Sequence, residues 1–180
     1  AWLGKLVVDG NLVPNQITIH MMGSVAIVLL LLGLISRNTE GTLNLPRPVH
    51  STLWLLLSVV VLQIFLGTQL RELVDAVLEH GSVERAKAIE SMEEWMPKIH
   101  RTFGWVVLIA TSVLYYVRKA KSVHIPGFKP LVFAILLEWV IGVALYFAGL
   151  PKALQPVHLV LSVGILASVS YPLFLSLRRR

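Results

Sequence analysis

The sequence contains no cysteine and few charged residues. With Cys absent from all 180 positions, disulfides, thiolate metal sites, iron–sulfur clusters and covalent c-type haem attachment are excluded. Charged residues make up 14% of the chain, well below the roughly 25% of a soluble globular domain. Hydrophobic residues make up 56%. The composition therefore predicts a protein embedded in a lipid bilayer.

The uncharged runs of the sequence are long enough to cross that bilayer. A transmembrane helix needs about 20 consecutive apolar residues, and such runs occupy residues 16–36, 51–70, 99–117, 130–150 and 154–177. A spanning segment must satisfy its own backbone hydrogen bonds, so helices suffice and no sheet is needed. We therefore predict an all-α integral membrane protein with five transmembrane helices, and a partly helical polar segment over residues 71–98.

The net charge of +6 arises from residues in short loops rather than from a nucleic-acid-binding patch, so no nucleic-acid partner is expected. Nine Lys and Arg residues lie in loops 37–50 and 118–129 and in the tail 178–180. Because short basic loops stay in the cytoplasm, these segments, with the C-terminus, are predicted to be cytoplasmic. The acidic segment 71–98 and the turn 149–153 then face outward.

Three histidines lie at a similar depth in the outer half of this arrangement. His20, His100 and His158 each come shortly after their span enters from outside, whereas His50, His80 and His124 lie in loops or at a span edge and are interpreted as solvated. Helix bundles hold metal cofactors between facing helices in this way. For His100, the alternative is a membrane-edge histidine hydrogen-bonded to a neighbouring carbonyl.

An internal repeat links these histidines to a second motif. LQIFLG (62–67) matches LEWVIG (137–142), and residues 1–4 match the end of the same pattern. Gly4 and Gly142 each precede a histidine by sixteen residues, while Gly67 precedes His100 by thirty-three because of the long outer loop. The first unit would place its Gln or Glu before Ala1, so we expect at least one helix upstream.

Two imidazoles on adjacent helices can ligate a haem iron from opposite faces, and His100 and His158 belong to the two complete repeat units. Arg101 and Arg71 lie at the outer membrane surface, where guanidinium groups pair well with haem propionates, although they can equally be interfacial anchors.

Each histidine is followed four residues later by a small residue that either leaves room for a macrocycle or mediates helix packing: Ser24, Gly104 and Ser162. His20 would serve a second site. Glu138 is expected to be a neutral, hydrogen-bonding group. The alternatives of a zinc site and of a membrane transporter are weakly supported by the sequence.

These motifs resemble those of the haem A synthase family, membrane enzymes that oxidise a methyl group of haem O to the formyl group of haem A. The resemblance covers nearly the whole chain and is carried by WLGKLVVDGNL followed by Pro14 and His20, by LQIFLG, by IHR (99–101) and by PVH (156–158). It implies two pseudosymmetric four-helix halves. Residues 1–50 would be a remnant of the N-terminal, substrate-binding half, and residues 51–180 the C-terminal half.

The resemblance further implies that His100 and His158 ligate haem b as a cofactor, that Arg101 and Arg71 assist, and that His20 is one axial ligand for the substrate haem O and product haem A. No catalytic residue is predicted, because the family's E-x-x-H-R motif is absent. Pro97 stands where the acid would be, so Glu93 and Glu94 are not assigned that role. The cysteine pair of some family members is also absent.

The implied setting is a bacterial cytoplasmic membrane, with haem O synthase, terminal oxidase assembly, a respiratory complex or further copies of the chain as partners. Whether this chain is itself an oxidoreductase is left open. The first alternative is a non-catalytic membrane cytochrome b that serves as an accessory electron-transfer subunit. The second is a haem-free structural membrane subunit.

Overall fold

A computed structural model of the chain describes residues 5, 15–79, 84, 87–89, 92 and 95–177. Within these residues the chain forms five helices, α1 (Gln16–Asn38), α2 (Arg47–Glu79), α3 (Trp95–Ala120), α4 (Phe128–Phe147) and α5 (Leu154–Ser176). Their bounds agree with the predicted spans to within a few residues, except that α2 continues nine residues beyond its predicted end. The first repeat match was predicted on residues 1–4 and the basic tail on residues 178–180. Both ranges lie outside the described part of the chain.

Four of the described helices are long and apolar enough to cross a bilayer: α1, α2, α4 and α5. The shortest of them, α4, has 20 residues, and at about 1.5 Å per residue it reaches ~30 Å, the thickness of the hydrocarbon core. The chain is therefore an integral membrane protein. The helix α3 has 26 residues, but its ionisable and aromatic residues lower its hydropathy. That α3 also spans stays a prediction.

Proline marks the start of four of these helices. The first turn of α2, α3, α4 and α5 contains Pro48, Pro97, Pro130 and Pro156, respectively. The N–H groups of a first helical turn have no acceptor within the helix, so a residue that lacks an N–H costs nothing there, and its fixed φ suits the helix. Local chemistry thus fixes where each helix begins.

The helix ends are set by residues in the left-handed region. After α4, Gly149 has φ 69°, and the Leu150 N–H donates to Leu145 O at 2.9 Å. After α3, Ser122 has φ 51°, and the Val123 N–H donates to Arg118 O at 2.9 Å. Both are Schellman-type ends, which satisfy carbonyls that the helix itself leaves free.

Helices α2 to α5 form a closed ring, with α2 against α3, α3 against α4, α4 against α5, and α5 back against α2. One end of this ring is filled by leucines that are almost completely buried: Leu53, Leu56, Leu114, Leu131, Leu166 and Leu173. We call this the closed end. It is the end at which loops 39–46 and 121–127 connect the helices.

Helix α1 lies outside the ring, against α2 and α5. Its N-cap residue, Asn15, makes no side-chain capping bond. Instead, the Thr18 N–H donates to Glu72 Oε1 at 2.9 Å, and Gln69 Nε2 donates to Thr18 Oγ1 at 2.7 Å. A carboxylate from α2 therefore caps the first turn of α1, where negative charge is favourable, and joins the two helices.

Candidate functional site

A cavity of about 600 Å³ occupies the ring at the end opposite the leucines, between α2, α3, α4 and α5. We call this the open end. Its wall is mainly apolar and holds a few polar groups, as in sites for small molecules and cofactors, which typically measure about 300–1,000 Å³. Helix α1 contributes Ile17 and Met21 to the wall. The predicted site residues on α2 to α5 all line this cavity: Arg71, His100, Arg101 and His158.

His100 packs edge-on against the backbone of α2. A Cβ placed on Gly67 would lie 3.2 Å from His100 Cε1 and 3.7 Å from His100 Nδ1. A Cβ at position 67 would therefore require the imidazole to shift by a few tenths of an ångström, and a larger side chain would displace it further. The Nδ1 atom is buried and has no hydrogen-bond partner.

His158 packs in the same way against α4. A Cβ placed on Gly142 would lie 3.4 Å from His158 Cε1. Glu138 Oε2 lies 3.1 Å from His158 Nδ1, but the ring N–H does not point at the oxygen, so neither atom is hydrogen-bonded. The Ser162 hydroxyl lies within hydrogen-bond distance of both Glu138 Oε1 and His158 O, and its single proton serves one of them at a time. Glu138, expected as a hydrogen-bonding group, thus faces the His158 ring.

The two complete repeat units therefore make the same contact. In each unit the glycine of the L-(Q/E)-x-x-x-G motif lies against the Cε1 edge of the histidine on the following helix. The glutamine of the first unit, Gln63, donates from Nε2 to His100 O at 3.1 Å, and its Oε1 is buried without a partner. The spacing found in the sequence corresponds to a local geometry that occurs twice. The overall two-fold symmetry of the bundle stays a prediction.

Of the small residues four positions after the histidines, Ser24 and Ser162 each lie within hydrogen-bond distance of the carbonyl of the preceding histidine, whereas Gly104 faces the neighbouring helices. Ser24 donates to His20 O at 3.0 Å, within its own helix. A Cβ on Gly104 would lie 3.8 Å from Trp139 Cδ1 and 3.9 Å from Gln63 Nε2. Gly104 and Ser162 both line the cavity.

His20 lies apart from this site. It sits on α1, is partly exposed and does not line the cavity. The other two described histidines are also away from it: His50 lies edge-on to Trp54, with ring centroids 6.4 Å apart, and His124 is exposed in a loop. His80 lies outside the described residues.

The two arginines stand at the rim of the cavity with different surroundings. Arg71 Nε pairs with Asp75 Oδ2 at 2.8 Å, and its Nη1 donates to Gln155 Oε1. Arg101 is exposed and has its guanidinium carbon 5.2 Å from the centroid of the Tyr146 ring, a cation–π distance. Arg101 thus keeps more of its N–H groups available than Arg71 does.

Sequence reasoning missed three residues of this wall: Trp139, Tyr146 and Gln155. Tyr146 follows Gly142 by four residues, and Gln155 precedes His158 by three, so both share a helix face with a site residue. That spacing is the signal that could have found them. Among the residues that the structure describes, no three His, Asp or Glu side chains cluster so that they could hold a bare metal ion.

Comparison with protein families gives one match. The family model COX15-CtaA, described as cytochrome oxidase assembly protein, matches residues 1–170. The comparisons with curated proteins and with solved structures gave no match. Because the matched region is nearly the whole chain, the chain belongs to the COX15-CtaA family of haem A synthases and cytochrome oxidase assembly proteins.

Proposed function

We propose that the open end binds haem b between His100 and His158, and that this haem serves the oxidation of haem O to haem A. Family membership implies a haem A synthase-like function. The observation that carries the ligand assignment is that both histidines line one cavity in equivalent settings, each against a glycine of the repeat.

The residues of the cavity fit a haem. A porphyrin supplies the four equatorial ligands of its iron, so the protein needs to add only two axial ones. The Cε1 edge of each imidazole is held against a glycine, and each Nδ1 is buried, which leaves Nε2 as the nitrogen available to a ligand in the cavity. The mainly apolar wall, including Ile135 and Val107, suits the faces and edges of a macrocycle.

The rim supplies charge of the required sign. Haem propionates are anionic, and guanidinium groups bind carboxylates with two parallel hydrogen bonds. We propose Arg101 as the main propionate partner, because Tyr146 holds it over the cavity without occupying its donors. Arg71 already bonds to Asp75 and Gln155, so we propose that it assists with its remaining donors.

A haem held by His100 and His158 would supply one-electron transfer. The chain's own residues then hold the group, orient its propionates toward the outer surface and keep water from its faces. No acid of this chain is proposed as the catalytic acid. Residues 51–180 would form the haem b half, and residues 1–50 would belong to the substrate-binding half, in which His20 would be one axial ligand for haem O.

The direction of insertion follows from the loops. The basic loops lie at the closed end, and positively charged short loops remain on the cytoplasmic side. We therefore propose that the closed end and the C-terminus face the cytoplasm, and that the open end lies toward the outer face. In this orientation the haem and Arg101 lie near the outer surface of the membrane.

An accessory cytochrome b without catalytic activity is the second candidate. The position of His100 and His158 in one cavity favours it, because a haem held by both residues would supply electron transfer rather than bind a substrate. Extraction of the pigment separates the two functions. Haem O or haem A in the extract supports the haem A synthase-like role, whereas haem b alone supports the accessory cytochrome.

The haem assignment is tested by the absorption spectrum of the purified full chain in detergent. We expect a Soret band that is lost in His100→Ala and in His158→Ala, and retained in the matched control His124→Ala, which alters an exposed loop histidine. An absent Soret band in the unsubstituted protein, or an unchanged one in both cavity variants, would refute the proposal.

A further inference from the structure

We propose that Gln63 and Glu138 are paired positioning residues, each of which accepts a hydrogen bond from the Nδ1–H of one haem-ligating histidine. Gln63 would serve His100, and Glu138 would serve His158. The inference rests on the proposed ligation of haem by these two histidines. It goes further, because it explains how each ring is oriented and why the two axial ligands are unequal.

The α4–α5 unit provides the more complete half of the evidence. Glu138 Oε2 is 3.1 Å from His158 Nδ1, and both atoms are buried without another partner. At this distance, a rotation of the imidazole about χ2 that points the N–H at the oxygen would complete the hydrogen bond. The other carboxyl oxygen, Oε1, is held by Ser162, so the side chain of Glu138 is fixed while it faces the ring.

The α2–α3 unit provides the same elements in the equivalent places. Gln63 occupies the position of Glu138 in the repeat, and Gly104 occupies that of Ser162. Gln63 Nε2 donates to His100 O at 3.1 Å and lies 3.9 Å from a Cβ placed on Gly104. It thus stands where Glu138 Oε1 stands in the other unit.

By this correspondence, Gln63 Oε1 takes the place of Glu138 Oε2, the atom that faces the histidine. Gln63 Oε1 is a buried acceptor without a donor, and His100 Nδ1 is a buried ring nitrogen without a partner. Native proteins rarely leave buried polar atoms unpaired. A bond between these two atoms satisfies both at once, and the repeat indicates it.

Such a bond has two consequences for the ligand. It fixes the tautomer with hydrogen on Nδ1, which leaves the Nε2 lone pair for the iron, and it raises the basicity of that nitrogen. A carboxylate is a stronger acceptor than an amide oxygen, so an ionised Glu138, in contrast to the neutral group expected from the sequence, makes His158 the stronger donor ligand of the pair. Hydrogen bonds to axial ligands are one means by which a protein sets the reduction potential of a haem.

The test exchanges the two acceptors in the full-length, haem-loaded protein. Glu138→Gln is expected to raise the midpoint potential of the bound haem, Gln63→Glu to lower it, and the double exchange to restore a value near that of the unsubstituted protein. Spectroelectrochemical titration measures all four proteins. Each substitution conserves the size of the side chain, and a retained Soret band shows that the site is intact.

A second readout needs no haem. In protein labelled with ¹⁵N-histidine and freed of haem, the ring nitrogen shifts of His158 are expected to show hydrogen on Nδ1. Glu138→Leu is expected to change them, while Ser168→Ala, at a half-buried position of α5 away from the cavity, is not. Haem bound normally, with potentials unmoved in both single exchanges, would overturn this inference alone. No haem binding by the unsubstituted protein would overturn the proposed function together with it.

Discussion

The closed and open ends of the ring are built from the same four helices but are filled in opposite ways. At the closed end, large leucines such as Leu53 and Leu166 are completely buried, each with 0% of its surface exposed. At the open end, a mainly apolar wall that includes glycines and a few polar side chains surrounds a cavity of about 600 Å³. Gly67, Gly104 and Gly142 leave space there that leucine side chains fill at the closed end.

This difference separates stability from binding. Within a bilayer, helices associate mainly through close packing, because lipid is as apolar as leucine. The closed end supplies that packing. The open end has less of it, because Gly67, Gly104 and Gly142 stand where larger residues would fill the space. We infer that a bound group replaces the missing contacts, so that substitutions at the two ends should have separable effects.

The largest expected effect comes from filling the open end. Gly142→Leu should displace the His158 ring, which lies 3.4 Å from the Cβ position. Haem affinity should fall by about 10–100-fold or more, since the loss of one orienting contact on a metal ligand has an effect of that size. Haem content per mole of folded protein measures it.

The matched control is Gly164→Leu, on α5, where no atom lies within 4 Å of the Cβ position. We expect it to bind haem as the unsubstituted protein does. Equal losses in the two variants would show that the effect reflects leucine in a helix rather than contact with the histidine.

The next effect concerns the closed end. Leu166→Ala should lower the free energy of unfolding by about 2 kcal/mol, the low end of the range for buried leucines, because lipid removes much of the transfer contribution. Haem content of the folded fraction should not change. Denaturation in mixed detergent measures the free energy of unfolding. The control is Leu30→Ala, at a position 69% exposed on α1. We expect it to change the free energy of unfolding by no more than about 0.5 kcal/mol.

The smallest effect is expected at the rim. Arg101→Ala should weaken haem binding by about fivefold, since exposed charge pairs contribute little, and Arg101→Lys should restore part of the loss because it keeps the charge but not the two-pronged geometry. Haem titration followed by absorbance measures both. Arg37→Ala, on the last turn of α1, should leave the titration unchanged. A loss in Arg101→Ala no greater than in Arg37→Ala would remove Arg101 from the site.

The sequence predicted the helices well, because long uncharged runs are local signals. It also predicted that His100 and His158 form a pair on adjacent helices; both line the cavity, but α3 and α5 lie across the ring from each other rather than side by side. The contact of each with a glycine follows from the repeat, in which Gly67 and Gly142 hold the same place.

Other features were beyond prediction, for a physical reason. A helix that is apolar on all sides carries no stripe to show which face is buried, so the rotation of α4 and α5 could not be obtained from their own patterns, and only the spacing of Tyr146 and Gln155 from Gly142 and His158 pointed to their positions. The polar segment 71–98 was predicted to be partly helical, but its charges end the apolar run and so gave no sign that α2 continues unbroken to Glu79. Glu72, within that extension, caps α1, a contact between residues distant in sequence.

The central claim is that the open end holds a haem between His100 and His158, and the spin state of the ferric haem tests it most directly. We predict a low-spin electron paramagnetic resonance signal from two imidazole ligands in the purified chain, converted to a high-spin signal in His100→Ala and in His158→Ala. A high-spin signal in the unsubstituted protein, or a low-spin signal that persists in both variants, would contradict the account.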